Sequence, residues 1–292
     1  MFNIRFLSSI IALAILFFVI WADANIPGIF GIAIFIISIL AVDEFYSVFP
    51  NIKQKPVKVL GYLFCTPLLF IAIGNNFETI GSYSLALSFI NYVSLVIFIL
   101  IVFLFLIIIL FNKKYGFNKK FSFNAIVITV FGIIYVPFLL SFIINTRNLD
   151  NGIYYVYIIL IGAWSTDTCA YFAGKFFGKR KLIPSISPKK TVEGALGGII
   201  GCTAASFVFG KIVLINGFID IFIYHFIVIG ALNGVIAQLG DLSASVIKRH
   251  VNIKDFGKIM PGHGGVLDRF DSVLFIAPFV YFYVYFIVLG KI

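Results

Sequence analysis

Charged residues are scarce in this sequence: they make up 12% of its 292 residues, while 61% are hydrophobic. A typical soluble domain carries about 25% charged residues. A chain of this length with so little polar surface could not cover its own core in water. The composition therefore excludes a soluble globular protein and predicts that lipid surrounds most of the chain.

Cysteine is also rare, and its placement is uninformative for chemistry. Cys65, Cys169 and Cys202 all lie in apolar runs and show no paired spacing. Cysteines in such runs are typically small buried hydrophobes. The pattern gives no evidence of disulfides or of a cysteine metal site. The sequence also lacks internal repeats and low-complexity linkers, which favours one membrane domain.

Nine apolar runs divide the chain, and most approach the roughly 20 residues that a helix needs to cross about 30 Å of hydrocarbon. They lack the alternation of barrel strands, and helices satisfy their own backbone within lipid. The sequence therefore predicts an all-α, polytopic integral membrane protein with about nine transmembrane helices. The runs are 5–22, 27–45, 57–74, 92–112, 123–143, 153–174, 194–213, 220–240 and 268–289.

The first run has two interpretations. It is either a retained transmembrane helix or a cleaved signal peptide, because Arg5, an apolar core and the run Ala22-Asp23-Ala24 follow the pattern of a signal sequence. Both interpretations leave the topology of the later runs unchanged, since the next helix would still enter from outside.

Basic residues gather in four clusters, each separated from the next by two predicted helices, so all four fall on one side of the membrane. By the positive-inside rule that side is cytoplasmic. The net charge of +10 is thus mainly a topology signal, with most lysines anchoring helices near anionic headgroups. This orientation is the one expected of a protein of the plasma (inner) membrane with cytoplasmic loops, and no nucleic-acid partner is expected. The clusters lie at 53–58, 113–120, 175–190 and 248–258.

Asp167 lies inside an otherwise apolar helix, where a carboxylate costs about 2.5–3.5 kcal/mol. Such a residue normally faces a partner or a water-filled cavity. The alternative is a hydrogen bond between helices, assisted by Ser165, Thr166 and Thr168. We predict that Asp167 points into a polar cavity that is continuous with the cytoplasmic site.

The run Ser187-Pro188-Lys189-Lys190-Thr191 reads as a helix opening, with Ser187 as the cap and Pro188 in the first turn. Two lysines, a hydroxyl and free amide groups at a helix start favour binding of an anionic phosphate. Surface lysines are common, so this run alone is weak evidence.

Residues 238–271 are denser in chemistry-bearing side chains. If this segment begins as a helix, Asp241, Ser245 and Lys248 fall on one face, at spacings of four and three. Because the apolar run ends at residue 240, we also expect Asp241 to close the helix of that run. Asp268 and Asp271 share a face at the start of the last helix; the alternative is that they only complement its dipole.

Glycines flank His263 in a turn before the last helix, where the backbone could approach a phosphate closely. His263 is either a general base or a turn residue, while His225 and His250 are expected to have no catalytic role. The flanking glycines are Gly262, Gly264 and Gly265.

Five of the twelve acidic residues lie at the predicted cytoplasmic helix ends, within two strongly basic regions: Asp167, Glu193, Asp241, Asp268 and Asp271. Carboxylates bind Mg²⁺, which bridges substrate phosphates, and lysine and arginine neutralise the remaining charge. This mixture is typical of a nucleotide-phosphate reaction.

Residues 245–271 resemble the signature of the phosphatidate cytidylyltransferases, also called CDP-diacylglycerol synthases. Residues 187–194, and Asp167 with Ala170-Tyr171, are also similar to the family, so that the resemblance covers roughly 160–290. One departure is Ala244, where members usually carry an acidic residue, and it puts a third carboxylate ligand in doubt. The matching signature positions are Ser245, Lys248, Arg249, Lys254, Asp255, His263, Gly264, Gly265, Asp268, Arg269 and Asp271.

The resemblance implies that phosphatidic acid and CTP react to give CDP-diacylglycerol and pyrophosphate. It implies Mg²⁺, with a monovalent cation as a further option, held by Asp241 and Asp268. It also implies membrane lipids as partners and a homodimer. Residues 151–292 would form the catalytic region, and residues 1–150 about five weakly informative helices.

The site residues that the resemblance implies fall into two groups. The catalytic group is Asp241, Lys248, Arg249, His263, Asp268, Arg269 and Asp271. The substrate-binding group is Asp167, Ser187, Lys189, Lys190, Thr191, Glu193, Ser245, Lys254, Asp255, Gly264 and Gly265.

Three alternative functions remain open at the level of the sequence. A CTP-dependent lipid-alcohol kinase has a related architecture, and a CDP-archaeol synthase would apply the same chemistry to ether lipids. A membrane transporter would instead place charged residues near the bilayer midplane in broken helices.

Overall fold

The computed structural model describes residues 2–23, 25–26, 28–49, 56–74, 123–260, 262 and 264–290. The apolar runs within these ranges form helices, as their composition predicts. The first part of the chain contains α1 Phe2–Asp23, α2 Ile29–Ser47, α3 Lys58–Gly74 and α4 Phe123–Ile133. A π-helical segment, Ile134–Phe138, continues α4 into α5 Leu139–Arg147.

The second part of the chain is also helical, apart from one small hairpin. Its helices are α6 Gly152–Phe177, α7 Val192–Ile215, α8 Ile223–His250 and α9 Leu267–Phe282, which ends in a π-helical segment, Tyr283–Val288. The hairpin consists of β1 Lys181–Ile183 and β2 Ser187–Thr191, which pair antiparallel.

Six helices among the described residues are long and apolar enough to cross a membrane. This confirms the predicted class, an all-α polytopic membrane protein. The predicted span 92–112 lies outside the described residues, so the expected number of about nine stays a prediction. The six are Ile29–Ser47, Asn124–Arg147, Gly152–Phe177, Val192–Ile215, Ile223–His250 and Leu267–Val288.

The chain divides into two compact units. The first unit is Met1–Phe138 with Phe256–Leu267, and the second is Leu139–Asp255 with Asp268–Ile292. The signature run 245–271 therefore contributes to both units. The predicted assignment of catalysis to residues 151–292 stays a prediction.

The first unit is built around the C-terminal half of α2. Tyr46 is buried, and its hydroxyl donates to the Thr129 carbonyl of α4 at 2.7 Å. Phe45 is also buried, with its ring 5.8 Å from that of Tyr135. These contacts fix the C-terminal half of α2 within the unit.

In the second unit, α6, α7 and α8 approach closely through small residues. A Cβ on Gly198 of α7 would lie 3.1 Å from Ala170 Cβ of α6, and one on Gly234 of α8 would lie 2.7 Å from Ile199 Cα of α7. Small residues allow this approach between membrane helices, where packing drives association. Buried polar groups join the same helices, since Asn233 donates to the Ile158 carbonyl at 3.4 Å.

The predicted helix opening at Ser187 is wrong. Ser187–Thr191 forms strand β2, with Ile183 opposite Ser187 and Lys181 opposite Thr191. The helix begins at Val192, and its cap is Thr191, whose hydroxyl accepts from the Gly194 amide at 3.1 Å. Serine and threonine are both good caps, so the local pattern could not choose between them; pairing with β1 decided the boundary.

The expectation that Asp241 closes its helix is also wrong. Helix α8 continues past the apolar run to His250, so Asp241 lies inside it. The last turn contains Lys248 and Arg249, whose charges favour the negative end of the helix dipole. The apolar run ends where the residues become polar, but the helix continues beyond that point to His250.

Candidate active site

A cluster of charged side chains forms in the second unit, from four separate elements. Helix α6 and strand β2 each supply one residue, α8 supplies two, and α9 supplies three. The members are Asp167, Lys190, Asp241, Lys248, Asp268, Arg269 and Asp271. All seven were predicted as site residues.

The first ion pair joins the hairpin to α8. Lys190 Nζ lies 2.5 Å from Asp241 Oδ2, with the two side chains 27% and 29% exposed. The Nζ atom of Lys190 is itself buried, although its side chain is partly exposed. The positive charge of Lys190 is thus held in place by Asp241, at a position that a substrate phosphate could contact.

The second ion pair joins the last turn of α8 to the first turn of α9. Lys248 Nζ donates to Asp268 Oδ1 at 2.8 Å, and the side chains are 11% and 4% exposed. Charges this well buried need a partner, because an uncompensated buried charge costs several kcal/mol. The pair therefore fixes the start of α9 against α8.

Asp271 lies one turn after Asp268 and is buried. It is within electrostatic range of Asp241, Lys248 and Asp167. Its carboxylate accepts from the Ser272 amide at 2.7 Å. Several carboxylates thus lie close enough to repel each other, and cations must balance them.

Asp167 is exposed on α6 and is within electrostatic range of Asp241, Lys190 and Arg269. Of the neighbouring hydroxyls, Ser165 donates to the Ile161 carbonyl at 2.5 Å and Thr166 donates to the Gly162 carbonyl at 2.6 Å, both within α6. Both hydroxyls also lie within hydrogen-bonding reach of Cys202 on α7. The structure places Asp167 with the charged cluster. Its role in substrate binding stays a prediction.

Gly240 is a site-building residue that the sequence interpretation missed. A Cβ there would lie 2.6 Å from the Asp271 carbonyl oxygen and 3.1 Å from Ser272 Cα. The backbones of α8 and α9 therefore touch directly beside Asp241. A glycine inside a helix is unfavourable by about 1 kcal/mol relative to alanine. A glycine next to Asp241 in the sequence could therefore have indicated a close contact between helices at this point.

Two predicted site residues make structural contacts. Arg249 donates through Nε to the Ile186 carbonyl at 3.3 Å and through Nη1 to the Ile253 carbonyl at 3.1 Å. Glu193 accepts from the Lys179 amide at 3.0 Å. These contacts hold the hairpin and the segment before it in place, and a phosphate contact for either residue stays a prediction.

The other predicted positions vary in accessibility. Lys189, Lys254 and Asp255 are exposed, Ser187 and Ser245 are half-buried, and His263 lies outside the described residues. Ala244 is fully buried.

The other two histidines differ in setting. His225 is buried, with Nδ1 3.1 Å from the Tyr283 hydroxyl, so it serves as a packing and hydrogen-bonding residue between α8 and the π-helical end of α9. His250 is exposed at the end of α8.

No group of three or more His, Cys, Asp or Glu side chains among the described residues has the geometry of a complete metal site. Mg²⁺ does not require one, because it binds through one or two carboxylates, several waters and substrate phosphates. Asp241 and Asp268 supply hard oxygen ligands next to lysines, so these residues fit such an ion.

The fold and the cluster define a class: a polytopic membrane protein whose carboxylates and cations suit a phosphorylated substrate. Residues 3–287 match the cytidylyltransferase family, and the chain therefore belongs to that family. This confirms the family resemblance found in the signature residues.

Curated relatives named phosphatidate cytidylyltransferase are similar over part of the chain. The protein of Bacillus subtilis (strain 168) is 46% identical over 150 residues, which cover 51% of this chain and 54% of the relative. Those of Staphylococcus saprophyticus and Staphylococcus aureus (strain COL) are 41% and 42% identical over 146 residues, covering 50% and 49% of this chain and 54% and 53% of the relatives. The chain spans about half the length of the curated relatives that it matches.

Proposed function

We propose that the protein transfers CMP from CTP to phosphatidic acid, giving CDP-diacylglycerol and pyrophosphate. The observation that carries the proposal is the meeting of Lys190, Asp241, Lys248 and Asp268 in two ion pairs. These residues come from separate runs of the sequence that resemble the family. The names of the relatives support the same reaction.

The reaction needs little covalent chemistry from the protein. An oxygen of the phosphatidic acid phosphomonoester attacks the α-phosphorus of CTP, and the bond from that phosphorus to the oxygen bridging to the β-phosphorus breaks. The electron pair leaves with pyrophosphate. The nucleophile has a second pKa of about 6 and is largely ionised near neutral pH, so no dedicated base is required. Positioning and charge neutralisation dominate, as in other phosphoryl transfers.

The residues of the cluster divide these tasks. Lys190 and Lys248 are held beside carboxylates and offer positive charge to the phosphates of CTP and of the lipid. Asp241 and Asp268 would hold Mg²⁺, which would supply positive charge to the leaving pyrophosphate. Arg269, exposed at the start of α9, extends the positive charge toward solvent. Asp167 and Asp271 add negative charge beside these cations.

The setting of the reaction belongs to the same proposal. The site faces the cytoplasm from the plasma membrane, where CTP is dissolved and phosphatidic acid lies in the bilayer. The basic excess of the loops supports this orientation. A monovalent cation beside Mg²⁺ and a homodimer rest on the family resemblance alone.

Label transfer from CTP tests the proposal. Purified protein in phosphatidic acid vesicles, given CTP radiolabelled at the α-phosphate, should place label in the lipid and release an equal amount of pyrophosphate. The matched incubation uses CTP labelled at the γ-phosphate, from which no label should enter lipid. Lipid labelled only from the γ-phosphate would identify a kinase, and no lipid label from either position would overturn the proposal.

A further inference from the structure

Glu44 is a buried carboxylate in membrane helix α2, only 4% exposed. It is far in sequence from every residue of the charged cluster. A buried charged group is unfavourable unless it is hydrogen-bonded or paired, so its contacts indicate what it is for.

Both oxygens of Glu44 accept hydrogen bonds from the start of α9. The Val266 amide donates to Oε1 at 3.0 Å and the Leu267 amide donates to Oε2 at 2.8 Å, across 222 and 223 residues. The first amides of a helix have no partner within it, and the positive end of the helix dipole favours an anion there. Glu44 thus caps α9 from a different helix.

Two glycines of the preceding loop make room for this carboxylate. A Cβ on Gly257 would lie 2.5 Å from Glu44 Cδ, and one on Gly265 would lie 2.6 Å from it. Real Cβ atoms essentially never come this close, so a side chain at either position would displace the carboxylate. The backbone at Gly257 and Gly265 therefore lies directly against the Glu44 carboxylate.

Further contacts hold the same loop. The Met260 amide donates to the Gly264 carbonyl at 2.9 Å. Phe256 is buried, with its ring 6.3 Å from that of Phe45, the residue after Glu44. Asp43, on the other side of Glu44, instead binds Lys58 and Tyr62.

We propose that Glu44 is a positioning residue for the end of the loop that precedes α9, within the signature run 245–271. It fixes the backbone at Val266 and Leu267, directly before Asp268 in the chain. A carboxylate is needed because two amides must be accepted at once: glutamine would offer one oxygen and would set an N–H against the other amide. The proposal rests on the proposed function, and it assigns to a residue of α2 the placement of the backbone that leads into Asp268. It also explains why residue 265 is a glycine: a side chain there would collide with the Glu44 carboxylate, whether or not Gly265 contacts the nucleotide.

Hydrogen exchange of the full-length protein tests the contact without reference to activity. Glu44→Gln and Glu44→Ala should speed exchange of the Val266 and Leu267 amides by about tenfold or more, because a lost acceptor opens them to local fluctuation. Asp43→Asn, a neighbouring acid with other partners, is the matched control and should leave this exchange unchanged. Unchanged protection in both Glu44 variants would overturn the proposal.

Turnover measured against Mg²⁺ concentration tests the consequence. Glu44→Gln should lower kcat by about tenfold or more, since small misplacements of catalytic groups have effects of this order, and should raise the Mg²⁺ concentration for half-maximal rate. The KM for phosphatidic acid should change little, and Asp43→Asn should behave as wild type. Wild-type kcat and Mg²⁺ dependence in a folded Glu44→Gln protein would overturn the inference while leaving the proposed function intact.

A double-substitution cycle covers the case in which one variant folds poorly. Gly265→Ala should impair turnover strongly in the wild type but much less in the Glu44→Ala background, because the colliding carboxylate is then absent. Additive effects would contradict positioning through this contact. If the wild type itself transfers no CMP, the proposed function fails, and hydrogen exchange still decides whether Glu44 holds the loop.

Discussion

Lys248 and Asp268 form a buried ion pair that joins the end of α8 to the beginning of α9, across 20 residues of sequence. Asp241, two turns earlier in α8, is paired with Lys190 in the same way. Each carboxylate proposed as a metal ligand thus has a lysine beside it. Four carboxylates and three cations make up the cluster, so the two ion pairs offset most of its negative charge.

The two proposed metal ligands should be indispensable. Asp241→Asn and Asp268→Asn should each reduce cytidylyl transfer by at least about a hundredfold, the scale of losing one electrostatic contact to a transition state. Turnover of each purified variant against Mg²⁺ concentration measures this. Asp255→Asn, exposed in the loop, is the control and should have a smaller effect. Wild-type turnover and metal dependence in Asp268→Asn would place the metal elsewhere.

The two adjacent lysines of β2 should differ. Lys190 is paired with Asp241, whereas Lys189 is exposed. Lys190→Ala should lower kcat/KM for CTP by at least about tenfold, as expected for a charged contact to phosphate. Lys189→Ala removes the same charge at the neighbouring position and should have a smaller effect. Equal losses in both variants would show that local charge matters and that the ion pair does not.

Asp167→Asn should lower turnover without preventing membrane insertion. The substitution keeps the size of the side chain and removes a charge that interacts with Asp241, Lys190 and Arg269. Steady-state assays of the purified variant measure the loss. Asp220→Asn, in an exposed loop, is the control and should be silent. Full activity of Asp167→Asn would remove this residue from the site.

Gly240→Ala should destabilise the protein and reduce activity. The added methyl meets backbone atoms of Asp271 and Ser272, which no side-chain rotation can relieve. Overpacking costs about 1–3 kcal/mol, more than the roughly 1 kcal/mol that alanine gains in helix propensity. Thermal unfolding in detergent and the turnover assay measure the two effects. Leu239→Ala, exposed on the same helix, should change both far less; an unaffected Gly240→Ala would argue against the close helix contact.

The predicted orientation concerns the loops 46–57, 113–121, 175–192 and 248–266, all expected to be cytoplasmic. In a variant whose native cysteines are replaced, Lys181→Cys should resist an impermeant thiol reagent in intact cells. Asn216→Cys, exposed between α7 and α8, should label readily because one helix separates the two positions. Labelling with the opposite preference would contradict the cytoplasmic site.

Much of the site could be predicted because its charged residues are conspicuous in an apolar sequence. Asp167 was recognised by the cost of a carboxylate in an apolar run. The same reasoning applies to Glu44 within the run 27–45, but it was missed because the resemblance lay in residues 160–290. The sequence also contains Gly257 and Gly265, but it does not indicate that both lie against Glu44.

The sequence by itself determined the membrane solvent, the helical class and the family, since composition and a dense signature are local properties of the chain. Only the tertiary structure decided that Thr191 caps α7 and not Ser187, that α8 runs on to His250, and that Glu44 holds the start of α9. The physical reason is that each depends on contacts to elements elsewhere in the fold. A cap, a helix end or a buried carboxylate is stabilised by its partner, and for Glu44 that partner lies more than 220 residues away.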